Sequence, residues 1–176
     1  SRVSRGLGDV YKRQQVFNRA STFPYWFAII ALLAASSSYV NALLVRKLGM
    51  RMLTGIAFRA QVCFSAIVFL VYWTGYFEGQ FGFFCFLFWM FSIFFQAGLT
   101  MGNLTALAME PVGHIAGTAA SLVSAIATIG SVLLAAIVGQ FFDGTPAAMI
   151  AGVALFATLG SVSSHRLKRY DRTTKV

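Results

Sequence analysis

Five long apolar runs constrain the fold of this chain more than any other feature of its sequence. Each is close to the ~20 residues that an α-helix needs to cross the hydrocarbon core of a membrane. They are Phe23–Val45, Met52–Phe77, Phe81–Met109, Ile115–Phe142 and Pro146–Ser164. We expect a helix in each run, because a helix satisfies its own backbone hydrogen bonds in lipid. The predicted fold class is an all-α integral membrane protein with five transmembrane helices.

Composition supports a membrane protein over a soluble domain. Of the 176 residues, 58% are hydrophobic and only 11% are charged, which is too little charge to cover a soluble surface. The net charge of +9 is concentrated in residues 2–19, 46–51 and 166–175. Because these basic clusters flank apolar runs, we expect them to contact anionic membrane lipid and not nucleic acid.

Glycine and proline mark the ends of the predicted helices. Pro24 suits the first turn of helix one, and Gly49 interrupts the basic segment between helices one and two. Gly75 and Gly79 bracket the next turn. Residues 144–146, Gly-Thr-Pro, are typical of a turn, an N-cap and a first helical residue.

The distribution of Lys and Arg predicts the orientation. Basic residues lie between helices one and two and after helix five, whereas the turns at 74–80 and 143–145 contain none. The positive-inside rule therefore places the first loop, the 110–114 connection and the basic tail 166–176 in the cytoplasm. The residues expected at the outer boundary include the aromatic side chains of Tyr25, Trp26, Tyr72, Trp73 and Tyr76.

The first 14 residues, SRVSRGLGDVYKRQ, conflict with this orientation, because they place basic side chains on the predicted outer side. The stretch resembles translated sequencing-adaptor read-through. We expect it to be non-native and the natural chain to continue upstream of residue 15; the alternative is a genuine basic tail. The transmembrane bundle is then residues 15–165.

Stripes of small residues follow one face of helix one and one face of helix four. Close packing through small residues holds membrane helices together, and we predict this role for Ala31, Ala35, Ser38, Ser121 and Ser131. The alternative is that such a stripe lines a cavity. The helix-four stripe consists of Gly117, Ser121, Ser124, Thr128, Ser131 and Ala135, and that of helix one of Ala28, Ala31, Ala35, Ser38 and Ala42.

Helix three is rich in phenylalanine, on every side of the helix. Most of these rings are expected to face lipid or to pack, but one face combines rings with polar groups. Aromatic rings offer apolar contact and cation–π attraction to lipophilic cations. The candidate substrate-cavity residues are Phe88, Phe91, Ser92, Phe95 and Gln96, with Ser124 and Thr128 of helix four.

Other polar side chains lie inside the runs. Arg59, in helix two, is close enough to the cytoplasmic end for its side chain to reach the membrane surface, and with Gln61 it is also a candidate functional group. Asn41 and Asn103 are expected to be interhelical hydrogen-bond partners. The two cysteines, at positions 63 and 85, are expected to be small buried hydrophobes.

No enzyme motif is recognisable in the sequence, and we expect no catalytic residue, metal or cofactor. None of the five carboxylates is expected at mid-membrane, so a proton-relay acid would lie in sequence upstream of this chain. His114 near Glu110 could suggest acid–base chemistry, but we expect both to cap helix ends.

Three stretches carry a family resemblance. GNLTALAMEPVGHIAGTAAS (102–121) resembles the connection between helices ten and eleven of major facilitator superfamily drug-resistance transporters of the Bcr/CflA type. NALLVRKLGMR (41–51) is similar to the second-half copy of the superfamily's Asp-Arg-x-Gly-Arg-Arg loop. Lys47, Gly49 and Arg51 match this loop, whereas Arg46 replaces the acid and Met50 an arginine. QQVF followed by PYWFAIIAL is similar to the start of the eighth helix.

The resemblance implies that the five helices are helices eight to twelve of a twelve-helix fold whose N-terminal half is missing. It implies part of a secondary active transporter in the bacterial inner membrane that exports small lipophilic compounds or drugs by proton antiport. Helices one, three and four would face the cavity, and helices two and five would lie outside it. The alternatives are a small non-transporting membrane scaffold, or a metabolite importer of the same fold.

The resemblance also implies a cytoplasmic gating motif. Pro111 is expected to end helix three, Gly113 to allow a tight hairpin, and Gly117 to let helix four pack closely. The implied motif comprises Lys47, Gly49, Arg51, Glu110, Pro111, Gly113, His114 and Gly117.

Overall fold

A computed structural model describes residues 23–77, 79–141 and 145–173 of the chain. These residues form helices and no strand, which confirms the all-α fold class. The α-helices are α1 (Phe23–Leu48), α2 (Met50–Trp73), α3 (Gly79–Met109), α4 (Ala116–Gln140) and α5 (Ala147–Thr173). A 3₁₀-helix, Glu110–Ile115, joins α3 to α4. The adaptor-like stretch 1–14 and the predicted turn residue Gly144 lie outside the described residues.

Four helical segments of the described chain are long and apolar enough to cross a membrane. They are Pro24–Leu48, Met50–Trp73, Gly79–Gln140 and Ala147–Arg166. The third combines α3, the 3₁₀-helix and α4. Long apolar helices of this kind are compatible with a membrane protein.

Helices α1, α3, α2 and α5 pack side by side in that order. A buried cluster of Val68, Trp89 and Ile150 joins α2, α3 and α5. Trp26 near the start of α1 contacts Phe83 near the start of α3, and their later halves meet at the Asn41–Asn103 hydrogen bond, so α1 and α3 run parallel. Helix α2 runs antiparallel to α3 and α5. Phenylalanine and methionine side chains complete this core, because they fill irregular gaps between helices without polar groups.

Glycines allow close approach at two helix crossings. A Cβ atom at Gly160 of α5 would lie 2.7 Å from the ring of Phe58 on α2, so only glycine fits there without a shift of the ring. A Cβ atom at Gly98 of α3 would overlap the Ser37 side chain of α1. Small residues therefore do set helix spacing in this bundle, as expected for membrane helices.

Helix α4 differs from the others because none of its residues is buried. Residues 121–137 are exposed except for the partly buried Gly130. The helix starts beside the end of α3. Near its own end Val138 packs against Gly152 of α5, where an added Cβ atom would lie 3.0 Å from the Val138 side chain. Helix α4 therefore runs back along the bundle while leaving most of its surface uncovered.

Three predicted helix ends need correction. Helix α2 ends at Trp73, not residue 77, because Gly75 has a φ of 78° that a right-handed helix excludes. Helix α5 continues to Thr173, not 164, through a stretch without glycine or proline that could stop it. Pro146 precedes this helix, its carbonyl accepting a hydrogen bond from Ile150 at 3.0 Å, so Ala147 is the first helical residue.

Candidate functional site

The predicted cytoplasmic segments meet at one end of the bundle. Arg51, at the start of α2, donates to the carboxylate of Glu110 just after α3, at 3.3 Å. Ser164, late in α5, lies next to Gly55 near the start of α2. The structure thus confirms that the first loop, the 110–114 connection and the end of α5 share one end. We call this the basic end.

The ion pair unites the two stretches of the predicted gating motif, since Arg51 belongs to the first and Glu110 to the second. The side chains are 42% and 63% exposed, so solvent screens the pair and its stability contribution is small. Gly49 has a φ of 77°, which lets α1 end at Leu48 and α2 begin at Met50. Lys47 is exposed at this junction.

The connection between α3 and α4 is a 3₁₀-helix, not the predicted tight hairpin turn. Pro111 lies in its first turn, consistent with the predicted end of α3. Gly113 does not adopt a positive φ; the non-helical residue is Val112, with φ −122° and ψ 28°. Pro111, Gly113 and His114 are exposed on this connection, and Gly117 is exposed at the start of α4.

The predicted helix caps at this connection are not formed. The N-cap residues of the 3₁₀-helix and of α4 are Met109 and Ile115, not Glu110 or His114, and neither makes a side-chain capping hydrogen bond. The Glu110 carboxylate instead accepts from Arg51. The prediction was wrong because sequence proximity favoured a local partner, whereas antiparallel packing of α2 and α3 brings Arg51 from 59 residues away.

The predicted cavity face of α3 is a row of neighbouring aromatic rings. The ring centroids of Phe88 and Phe91 are 6.1 Å apart, and those of Phe91 and Phe95 are 5.5 Å apart. Phe64 of α2 meets Phe88 edge-on at 5.4 Å. Phe88 is exposed, whereas Phe91 and Phe95 are partly buried, so the row leaves aromatic surface available to lipid or to a ligand.

The polar members of the predicted cavity are held differently. Ser92 donates to the Trp89 carbonyl of its own helix at 2.7 Å, while the partly buried side-chain amide of Gln96 has no hydrogen bond among the described residues. Ser124 and Thr128 lie on the exposed surface of α4, where the Thr128 hydroxyl donates to the Ser124 carbonyl. The α3 residues form one face, and the α4 pair lies apart from it.

A buried polar network that the sequence analysis missed in part lies between α2 and α3. Ser65, which is 0% exposed, accepts from the Trp89 indole at 3.0 Å and from the Gln61 amide at 3.3 Å. Gln61 was noted in the sequence; Ser65 and Trp89 were not. The available signal was the i, i+4 spacing of Gln61 and Ser65 on one face of an apolar helix.

A second polar contact joins α1 and α3. Asn103 donates to the Asn41 side-chain oxygen at 2.7 Å and to the Leu99 carbonyl at 2.8 Å. This confirms the predicted interhelical hydrogen bond. The two hydrogen bonds satisfy the buried side-chain amide of Asn103, which needs partners in an apolar environment.

The small-residue stripes do not form the contacts between helices of this chain. The buried residues of α1 are Ile30, Ala34 and Ser37, each one position before a member of the predicted stripe. The stripe residues are exposed, so their predicted packing role would need a partner surface outside the described bundle. The exposed members assigned to packing are Ala31, Ala35, Ser38, Ser121 and Ser131.

The cysteines are both free: Cys85 is partly buried, but Cys63 is exposed, so its predicted burial was wrong. Arg59 is exposed on the same face of α2 as Cys63. The described residues contain no group of three His, Cys, Asp or Glu side chains that could hold a metal ion.

Comparisons with protein-family models, curated proteins and solved structures found no match to the chain.

Proposed function

We propose that this chain is part of a secondary active transporter of the major facilitator superfamily, of the Bcr/CflA type. Its helices α1 to α5 would correspond to helices eight to twelve of the twelve-helix fold. The whole transporter would export small lipophilic compounds or drugs by proton antiport from the bacterial inner membrane, with the basic end in the cytoplasm. The proton-relay acid would belong to the N-terminal half.

The observation that carries the proposal is the ion pair between Arg51 and Glu110. Arg51 and Glu110 belong to two of the three stretches that carry the resemblance and are 59 positions apart in the sequence. They form a direct contact at the basic end, as a single cytoplasmic unit built from both stretches would require. In a transporter that rocks about a midplane site, such a contact would join the α1–α2 junction and the α3–α4 connection into one cytoplasmic unit.

The path of α4 supports five crossings. The helix begins at the basic end and reaches Gly152 near the start of α5. It therefore has the direction of a separate transmembrane helix after α3. Its uncovered surface includes the exposed Ser124 and Thr128. This surface leaves room for helices of the proposed N-terminal half.

A charge swap in the complete natural reading frame tests the role of the pair. We expect Arg51→Glu and Glu110→Arg each to reduce compound efflux by cells, because each places like charges together. The double variant should recover a substantial part of the activity. Arg46→Glu is the matched control, since Arg46 is exposed at the same end and should show no rescue by Glu110→Arg. Absence of rescue in the double variant would remove the support that the ion pair gives.

The proposed ligand-facing role of α3 needs its own test. We expect Phe91→Ala and Gln96→Ala to change which compounds the complete transporter exports, because one removes ring surface and the other an unpaired amide. Phe81→Ala, on an exposed part of the same helix, is the control. Unchanged export of every compound in both variants would contradict the cavity assignment. Accumulation assays in inverted vesicles separate export from the alternative of metabolite import.

The remaining alternative is a small membrane scaffold that transports nothing. The upstream DNA separates it from the transporter: about seven further apolar runs in frame would support the transporter. A start codon near residue 15 would instead support the scaffold.

A further inference from the structure

Arg59 is a cation on a face of α2 that is otherwise apolar. It lies nine residues after Met50, which is about 14 Å along the helix axis at ~1.5 Å per residue. That distance is close to half of the ~30 Å hydrocarbon core, where an uncompensated charge is costly. Its exposed neighbours on this face are Met52, Ile56, Cys63, Ile67 and Leu70.

The Arg59 side chain is turned back along its own helix. Its Nε donates to the Gly55 carbonyl at 3.1 Å, which directs the guanidinium toward the basic end. Among the described residues no carboxylate pairs with it, since Glu110 is engaged by Arg51. A guanidinium has five N–H donors, so most of those of Arg59 are available to an anion.

The guanidinium lies near the point where Gly55 of α2 meets Ser164 of α5. A Cβ atom placed on Gly55 would be 4.0 Å from Arg59 Nη2 and 3.8 Å from Ser164 Cβ. The two side chains therefore flank a position that glycine leaves empty. Ser164 is partly buried, and its hydroxyl makes no hydrogen bond among the described residues.

The surroundings favour a negatively charged ligand from the membrane. At this end of the bundle α1 ends in Arg46 and Lys47, and Arg166 is exposed two residues after Ser164. A planar guanidinium and a hydroxyl match a phosphate, which accepts several hydrogen bonds at once. Because the Arg59 side chain is turned toward the basic end, its long stem brings the guanidinium toward the edge of the hydrocarbon core. The phosphate available there is that of a phospholipid.

We propose that Arg59, Gly55 and Ser164 form a binding site for the phosphate group of an anionic phospholipid. Arg59 binds the phosphate oxygens, Ser164 donates a further hydrogen bond, and Gly55 leaves space for the headgroup. The acyl chains lie along the apolar face of α2 that contains Ile56 and Cys63. This site depends on the chain lying in a membrane and not on the proposed transport activity.

Native mass spectrometry of the detergent-purified chain tests the site. Phosphatidylglycerol is titrated, with phosphatidylcholine of the same acyl chains as the comparison lipid. We expect Arg59→Gln to weaken phosphatidylglycerol binding by roughly tenfold, as expected for loss of a charge-assisted hydrogen bond. Arg46→Gln, which removes the same charge at an exposed helix end, should change binding by less than about twofold.

Two further variants keep the test informative if Arg59→Gln does not fold. Ser164→Ala retains every charge and should weaken binding by a smaller factor, and Gly55→Leu should fill the space between Arg59 and Ser164. Equal binding of phosphatidylglycerol by the Arg59 and Arg46 variants would overturn the proposal. So would equal affinity of the wild type for the two lipids, or displacement of the lipid by an equal concentration of inorganic phosphate. Release of a co-purified protein by Arg59→Gln, with lipid binding unchanged, would instead assign Arg59 to an acidic protein partner.

Discussion

Replacing Ser65 by alanine tests whether the buried polar network stabilises the bundle. The substitution removes one hydroxyl from a site that is 0% exposed. It leaves the Trp89 indole N–H and the Gln61 amide without their shared acceptor. Because alanine is only slightly smaller than serine, the main effect is on hydrogen bonding and not on cavity volume.

The expected loss follows from the two donors left unpaired. In soluble proteins a buried donor without a partner costs about 1–3 kcal/mol. Hydrogen bonds between membrane helices contribute less, about 0.6 kcal/mol on average and up to ~1.7. With two bonds at 3.0 and 3.3 Å, we expect Ser65→Ala to lower the free energy of unfolding by about 1–3 kcal/mol.

Unfolding of the detergent-solubilised chain by a denaturant, followed by Trp fluorescence and circular dichroism, measures this loss. Ser131→Ala is the matched control, because Ser131 is exposed and donates only to the Thr128 carbonyl of its own helix. The control should change the free energy of unfolding by less than about 0.5 kcal/mol. If Ser65→Ala is no more destabilising than Ser131→Ala, the network does not contribute and the reasoning fails.

Two further predictions concern helix contacts. Gly160→Ala should lower the free energy of unfolding by about 1–3 kcal/mol, because the added Cβ atom would meet the Phe58 ring. Thermal unfolding should show no such loss for the control Gly117→Ala, whose added Cβ atom enters open space. Asn41→Ala and Asn103→Ala should show a coupling of up to ~1.7 kcal/mol in a double-mutant cycle. Additive effects would mean that their 2.7 Å hydrogen bond adds nothing.

Helix positions were predictable because their signals are local. Long apolar runs identify the helices, and a glycine with positive φ at Gly49 or Gly75 interrupts them. The end of α5 was not predictable in this way. The expectation assumed that the helix stops with hydrophobicity, but Arg and Lys are good helix formers, so α5 continues through the basic segment.

Choosing the buried face of each helix was harder, because in lipid both faces are apolar. On α1 the small-residue pattern marks Ala31 and Ala35, which are exposed, and gives no signal for Ile30 and Ala34, which are buried. On α3 eight phenylalanines obscured Trp89, the residue that is fully buried. In each case the position of the neighbouring helix decides, and a hydrophobicity pattern contains no information about that position.

The exposed surface of α4 does not by itself distinguish a transporter from a scaffold. The hydroxyls of Ser121, Thr128 and Ser131 all donate to carbonyls of their own helix, so these hydroxyls do not require a protein partner and could face lipid. A contact that depends on two distant sequence positions is more informative. Because Arg51 and Glu110 come from two of the three stretches that carry the resemblance, rescue by the charge swap bears on the proposed family more directly than any property of the α4 surface.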